Sequence, residues 1–220
     1  MRTIVCMKWG DKYDGYESKL YDTLRYQCDK FVCVTDKPIN DYDIILPNDY
    51  EGHDCFTVEK LLLFNEDKIG LEGDEFLFFD LDVIIQKNID DIANFDPEDC
   101  LCFGQTHWHD LDKMKKETSH VPHKYTDLNS SILRWNDNLD KENITLYFKT
   151  HLEKILWYYR GIDNFFMHKG VARIKYFPLG WFYSYNHGYV YPHDVELQVY
   201  RQIPYVCLFD SMGRKEDVKF

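Results

Sequence analysis

The most informative segment of the sequence is Phe76-Leu77-Phe78-Phe79-Asp80-Leu81-Asp82-Val83-Ile84-Ile85. Its first four residues are all apolar, which predicts a short strand buried on both faces, as in a parallel sheet covered by helices. Asp80 and Asp82 follow where that strand ends, and at strand spacing their carboxylates project to one side. Burying two like charges between apolar runs is costly unless a cation shares them. The stretch therefore predicts a site for a hard divalent cation, Mn²⁺ or Mg²⁺.

Strand and helix signals alternate on both sides of this stretch. Buried strands are predicted at 3–7, 31–35, 42–46 and 99–103, and helices at 17–26, 58–64 and 146–159. A further strand is predicted at 131–135, antiparallel and at an edge, and a long loop over 104–127. This rhythm predicts an α/β fold, in which a mostly parallel central sheet is flanked by helices in a single domain.

Composition excludes several classes of protein. The chain has 220 residues, of which 45% are hydrophobic and 17% aromatic, so it can bury a sizeable core and is not disordered. Its 26 basic and 38 acidic side chains give a net charge of −12, which argues against a nucleic-acid polymer as partner. Glycine-rich dinucleotide, P-loop and serine-hydrolase motifs are absent from the sequence.

Cysteine usage and hydropathy predict the compartment. The seven cysteines include no Cys-x-x-Cys pair, and several lie in apolar, strand-like runs, which predicts buried free thiols under reducing conditions. The sequence shows no signal peptide and no apolar run of roughly 18 residues. We therefore expect a cytoplasmic protein without membrane insertion.

The order of these segments resembles that of the metal-dependent GT-A glycosyltransferases, the glycogenin-like kind with an Asp-x-Asp motif, and a bacterial and viral subset of them. The segments that carry the resemblance are 5–13, 32–36, 60–64, 79–84, 128–135 and 161–166. The resemblance implies a Rossmann-like GT-A domain over residues 1–220. Within it, the half formed by residues 1–103 is implied to bind nucleotide and metal, and the half formed by residues 104–220 to lie on the acceptor side.

The same resemblance implies transfer of a sugar from a nucleotide-sugar donor to an acceptor hydroxyl, with UDP as the expected nucleotide and glucose as the candidate sugar. Asp80 and Asp82 are the implied metal ligands, and Lys60 and Asp163 the implied catalytic residues, with Asp163 as a base or a ligand of a sugar hydroxyl. The implied donor-binding residues are Lys8, Trp9, Gly10, Lys12, Asp36, Lys60, Asp80, Leu81, Asn129, Ser130, Arg214 and Lys215.

The carboxyl-terminal region departs from the family pattern. The family often ends in Phe-His-Gly, whose His is the last metal ligand, whereas this chain has Phe209-Asp210-Ser211. The alignment makes Asp210 the third metal ligand, and a carboxylate suits a hard cation. His187 and His193 are rival ligands, and Asp210 can also be interpreted as a turn residue.

Plainer interpretations stay open beside these assignments. An Asp-x-Asp pair can also serve as a helix cap at the end of a strand, and Asp163 can cap the helix that follows Gly161. Lys60 can be an ordinary solvated lysine, as most lysines are. Two other functions stay open as well. A metal-dependent nucleotidyltransferase would be expected to have a basic, Gly-rich first loop, and a non-catalytic carbohydrate-binding protein would be expected to lose its metal ligands; neither matches this sequence.

Overall fold

The structure, a computed structural model, describes residues 1–38, 40–47, 49, 57–185 and 204–209. Within them a seven-stranded sheet has the order β3-β2-β1-β4-β7-β6-β8, and a small sheet has the order β5-β10-β9. The strands are β1 Arg2–Lys8, β2 Lys30–Thr35, β3 Asp43–Ile45, β4 Glu75–Phe79, β5 Val83–Ile85, β6 Cys100–Gln105, β7 Leu128–Asn136, β8 Arg173–Tyr176, β9 Phe182–Ser184 and β10 Val206–Leu208.

Helices cover both faces of the large sheet. The α-helices are α1 Tyr16–Leu24, α2 Asp90–Asn94, α3 Leu111–Glu117, α4 Lys141–Tyr158 and α5 Ile162–Lys169, and the 3-10 helices are Val58–Phe64 and Pro122–Lys124. None of the described helices is long and apolar enough to cross a membrane.

Strand direction decides which side chains meet. β1 pairs in parallel with β2 and with β4, whereas β7 runs antiparallel between β4 and β6. The carboxyl ends of β1, β2, β4 and β6 and the amino end of β7 therefore lie along one edge of the sheet. This architecture confirms the predicted mostly parallel α/β fold.

Successive side chains of a strand point to opposite faces of the sheet, so the buried apolar residues form one cluster on each face. On β1, Val5 belongs to a cluster that packs under α4, α5 and the first 3-10 helix, whereas Ile4 and Cys6 belong to the cluster under α1 and α2. Trp135 is the largest fully buried side chain and stacks on Phe76, with ring centroids 5.4 Å apart. The packing of β7 against β4 thus anchors the strand that ends at Asp80.

Three expectations about local structure were wrong, whereas the helix predicted at 58–64 is confirmed. The strand predicted at 131–135 is antiparallel, as expected, but lies inside the sheet rather than at its edge. The region 104–127 is no continuous loop, since it contains α3 and the second 3-10 helix. The helix predicted from residue 146 begins at Lys141, because the Asp140 carboxylate caps it by accepting from the Asn143 N–H. The helix at 58–64 has 3-10 geometry.

None of the described cysteines takes part in a disulfide, in agreement with the expectation. Cys6, Cys33, Cys100, Cys102 and Cys207 are buried and Cys28 is half-buried, while Cys55 lies outside the described residues. Burial raises the pKa of the Cys102 thiol to about 12, so this side chain is an inert apolar group at neutral pH.

Candidate functional site

The topology gathers polar groups at one edge of the large sheet. β2 and β3 lie on one side of β1, and β4 lies on the other. The strand order therefore reverses beside β1. Ligands of open α/β sheets bind outside the carboxyl ends of the strands at such a reversal. Lys8 ends β1 here, Asp36 follows β2 and Asp80 follows β4.

A cavity of about 230 Å³ opens at this edge. Six of the residues expected to bind donor or metal line it, namely Lys8, Trp9, Lys60, Asp80, Leu81 and Asp82. Both residues of the Asp-x-Asp pair thus line the same cavity, although they lie in the turn between β4 and β5 and do not continue the strand.

Lys60, which lines this cavity, is the centre of a polar cluster. Its Nζ lies 2.9 Å from both carboxylate oxygens of Asp80. It also donates to the backbone oxygen of Ser130 at 3.0 Å and to the Ser130 Oγ at 3.2 Å. Lys60 and Ser130 are only 5% and 4% exposed, so Lys60 is no solvated helix lysine.

Asp163 approaches the same cluster from the first turn of α5. Gly161 occupies the helix cap, so capping does not explain Asp163. Desolvation raises the pKa of the Asp163 carboxyl to about 6, while the Lys60 charge and a hydrogen bond from Ser130 oppose this rise. Burial likewise raises the pKa of Asp80, again against the attraction of Lys60. One ammonium group therefore stabilises two partly buried carboxylates.

The shifted pKa of Asp163 predicts how the stability of the fold depends on pH. The folded pKa of about 6 exceeds the usual value of 3.8, so the folded state binds more protons than the unfolded one between these values. The contribution of Asp163 to the free energy of unfolding therefore falls as the pH rises from about 4 to about 6. Asp163→Asn should remove this dependence, so the variant should gain stability relative to wild type between pH 5 and pH 7.5. Thermal unfolding of both proteins at the two pH values measures this; an equal difference at both would contradict it.

The loop after β1 is tied to the ends of β2 and β3. The Trp9 indole donates to the Leu46 carbonyl at 2.9 Å, and the Gly10 N–H donates to the Asp36 carboxylate at 3.3 Å. Gly10 has a φ of +64°, a conformation that glycine adopts without strain. Asp36 therefore fixes the loop expected to hold the nucleotide.

The remaining donor-binding expectations have mixed outcomes. The Lys12 Nζ lies over the Tyr13 ring, 4.8 Å from its centroid, rather than in the cavity. The Asn129 side chain accepts from the Ser131 N–H at 3.0 Å and so shapes the start of β7. Asp210, Arg214, Lys215, His187 and His193 lie outside the described residues.

Sequence reasoning missed several residues of this site. Tyr13 and Glu59 line the cavity, and Asp14 pairs with the buried Lys8 ammonium at 2.8 Å. Asn164 is 5% exposed, and its Nδ2 has no hydrogen-bond partner in the part of the chain that the structure describes. Tyr13 and Glu59 adjoin residues singled out from the sequence, whereas nothing local marks Asp14.

The described side chains at this cavity offer a hard cation the two carboxylates of the Asp-x-Asp pair. Asp80 and Asp82 offer carboxylate oxygens to one cavity, and Asp80 already binds a positive charge, the Lys60 ammonium. Among the described residues no group of three or more His, Cys, Asp or Glu side chains could hold a metal ion.

This architecture is the GT-A fold of glycosyltransferases, as comparison with solved structures shows. The galactosyltransferase LgtC, in complex with donor and acceptor sugar analogues, matches with a TM-score of 0.63 and 13% identity over 94% of this chain and 87% of LgtC. GlyE of Streptococcus pneumoniae TIGR4 matches with a TM-score of 0.61 and 12% identity over 100% of this chain and 57% of GlyE.

A third match is a glycosyltransferase involved in glycosylation of the major capsid of PBCV-1, with a TM-score of 0.52 and 12% identity over 98% of this chain and 95% of that one. Neither a protein-family model nor a curated protein matches the sequence. The comparisons thus establish the fold, and the chemistry has to be argued from the site.

Proposed function

We propose that this chain is a divalent-metal-dependent glycosyltransferase that moves a sugar from a UDP-sugar, with glucose as the candidate sugar, to an acceptor hydroxyl. The observation that carries the proposal is the cluster of Lys60, Asp80, Ser130 and Asp163 at the cavity that Asp82 also lines. Segments far apart in sequence supply these groups to the edge where ligands of such sheets bind.

The metal would be Mn²⁺ or Mg²⁺, held by Asp80 and Asp82. When bound, the ion neutralises negative charge on the diphosphate leaving group. Asp210 is the proposed third ligand, since it directly follows Phe209, whose N–H donates to the Asp82 carbonyl at 3.2 Å. Arg214 and Lys215 are proposed to add positive charge near the diphosphate.

The described residues would also interact with the diphosphate, the nucleotide and the sugar hydroxyls. Lys60, whose position is fixed by Ser130, would place a positive charge beside Asp80 and so help to offset the negative charge of the donor diphosphate. The loop of Trp9 and Gly10 would bind the nucleotide, since it is already held in place by Asp36 and Leu46. With a pKa of about 6, Asp163 is ionised at neutral pH and can accept a hydrogen bond or a proton from a sugar hydroxyl.

A thermal-shift panel tests the proposed function. UDP, GDP, ADP and CDP are each added with and without Mn²⁺, because a ligand that binds the folded state raises its unfolding temperature. UDP with Mn²⁺ should give the largest rise, and UDP alone a smaller one. An equal response to UDP in the presence of EDTA would overturn metal dependence, and no response to any nucleotide would overturn the donor class.

Two other functions would give different results in binding and activity assays. A non-catalytic carbohydrate- or nucleotide-sugar-binding protein would bind UDP-sugar without hydrolysing or transferring it. A nucleotidyltransferase would respond to nucleoside triphosphates and release pyrophosphate. The presence of both Asp80 and Asp82, the first of them paired with the buried Lys60, favours sugar transfer over binding alone. A cytoplasmic location stays a prediction.

Asp210 can be tested separately from the other metal ligands. Asp210→Ala should weaken Mn²⁺ affinity in the presence of UDP by about tenfold or more, and Asp210→His should recover some of it, since imidazole also binds Mn²⁺. Titration of Mn²⁺ against both variants measures this effect. Unchanged affinity in Asp210→Ala would move the third ligand to His187 or His193.

A further inference from the structure

Lys8 places a buried positive charge at the end of β1. Its side chain is 0% exposed, and its Nζ lies 2.8 Å from a carboxylate oxygen of Asp14. The same Nζ donates to the Gly10 carbonyl at 3.3 Å. Because a lysine is almost never fully buried without a partner, the ion pair with Asp14 accounts for the burial of Lys8.

Lys8 stays charged in this position. Burial alone would lower the pKa of the Lys8 ammonium, but the hydrogen bond to Asp14 and the charges of Asp14 and Glu17 outweigh burial and raise this pKa. Among the described residues, Asp14 is the only carboxylate that forms an ion pair with Lys8. The Asp14 side chain is 63% exposed, so the buried charge depends on one residue of a surface loop.

The two halves of this loop are held in different ways. The first half, residues 9–10, donates hydrogen bonds to acceptors that follow β2 and β3. In the second half, Asp11 pairs with Lys37, and the two side chains are 75% and 52% exposed. Such an exposed ion pair contributes little to holding a loop. The second half of the loop therefore relies on the pair formed by Asp14 and the buried Lys8.

The second half of the loop also forms part of the cavity wall. Tyr13, the residue directly before Asp14, lines the cavity, and its carbonyl accepts from the Tyr16 N–H at 3.0 Å. Asp80 and Asp82 line the same cavity from the turn after β4, a strand that pairs with β1 and β7. Movement of the loop would therefore displace Tyr13 and leave the two carboxylates where they are.

We propose that Asp14 is a positioning residue for the donor. Through its ion pair with the buried Lys8, Asp14 holds Tyr13 at the cavity and so sets the affinity for the nucleoside portion of the donor. Binding of the metal and the diphosphate at Asp80 and Asp82 does not depend on this ion pair. The inference rests on the proposed function, because it concerns the same nucleotide-sugar site.

Calorimetric titrations of the full chain separate the two portions of the donor. UDP and inorganic pyrophosphate are each titrated in excess Mn²⁺, because pyrophosphate provides a diphosphate without the nucleoside. Asp14→Asn should bind UDP about tenfold more weakly, the loss expected for one hydrogen bond to a charged group, and should bind pyrophosphate within about twofold of wild type. Asp14→Glu should restore some of the UDP affinity, since it keeps the carboxylate.

A double-mutant cycle tests whether Asp14 acts through Lys8. Lys8→Met removes the buried charge together with its pairing, so the UDP affinity should fall by a factor similar to that of Asp14→Asn. The double variant should bind UDP no more weakly than the weaker of the two single variants, because both substitutions remove the same interaction. Effects that multiply in the double variant would contradict this coupling.

Hydrogen exchange of the ligand-free chain gives a readout that needs no nucleotide. The amides of Asp14 and Tyr16 donate to carbonyls of the same loop, at 3.2 Å and 3.0 Å. In Asp14→Asn, peptides that cover residues 11–16 should exchange faster by on the order of tenfold, because the loop opens more often. Peptides from β4 should exchange as they do in wild type.

Asp11→Asn is the matched control, because Asp11 lies in the same loop and its ion pair with Lys37 is exposed. This variant should keep the wild-type UDP affinity and exchange rates. The proposal is overturned if Asp14→Asn binds UDP as wild type does, if it loses pyrophosphate affinity by the same factor, or if exchange of the loop is unchanged. Absence of UDP binding by wild type is a separate result that overturns the proposed function, and the exchange measurement does not depend on it.

Discussion

Replacement of Asp82 by Asn should abolish Mn²⁺-dependent UDP binding and leave the fold intact. The amide keeps the shape of the side chain but removes the negative charge that a hard cation requires. Loss of a group that merely supports a metal ligand costs up to about 100-fold in affinity, so loss of a ligand itself should cost at least about that factor. The Asp82 carbonyl still accepts from the Phe209 N–H, because this contact involves only the backbone.

The measurement is the thermal shift of the variant with UDP, with and without Mn²⁺, together with hydrolysis of UDP-glucose. Asp67→Asn is the matched control, since the Asp67 side chain is 83% exposed and pairs with the surface lysine Lys149. The control should respond to UDP and Mn²⁺ as wild type does. A wild-type metal response in Asp82→Asn would remove Asp82 from the metal site.

Replacement of Lys60 by Met should abolish sugar transfer and destabilise the metal-free protein. The methionine keeps the apolar portion of the side chain but leaves the Asp80 carboxylate without its positive partner and Ser130 without its donor. Breaking a largely buried ion pair on one side costs on the order of 3 kcal/mol. Because the Lys60 charge lowers the pKa of both Asp80 and Asp163, the variant should also take up protons at higher pH.

A divalent ion would partly replace the lost ammonium charge, which gives this prediction a second readout. Denaturant unfolding of Lys60→Met should show a smaller loss of stability with Mn²⁺ and UDP present than without them. Lys149→Met is the control, since the Lys149 side chain is 51% exposed and its ion pair with Asp67 lies on the surface. It should change the free energy of unfolding by less than about 1 kcal/mol. Equal effects of the two substitutions would contradict a central role for Lys60.

Much of the candidate site could be predicted from the sequence because its signals are local. The apolar run that ends at Phe79 predicts a buried strand, and Asp80 and Asp82 lie in the turn that follows it, where both line one cavity. Lys8 and Asp36 end or follow strands that the alternation of apolar residues also predicts. These features depend on neighbours in the chain, so hydrophobic periodicity is enough to find them.

The assembly of the site was decided only by the tertiary structure. The sequence predicts β7 at an edge, but the strand lies between β4 and β6, because strand pairing depends on contacts between residues far apart in sequence. That placement brings Ser130 to within 3.2 Å of Lys60. The raised pKa of Asp163 has the same origin, since it reflects burial beside groups from other elements. The sequence by itself determined which residues end the strands, whereas tertiary packing decided which of them meet, because register and burial are properties of the folded chain as a whole.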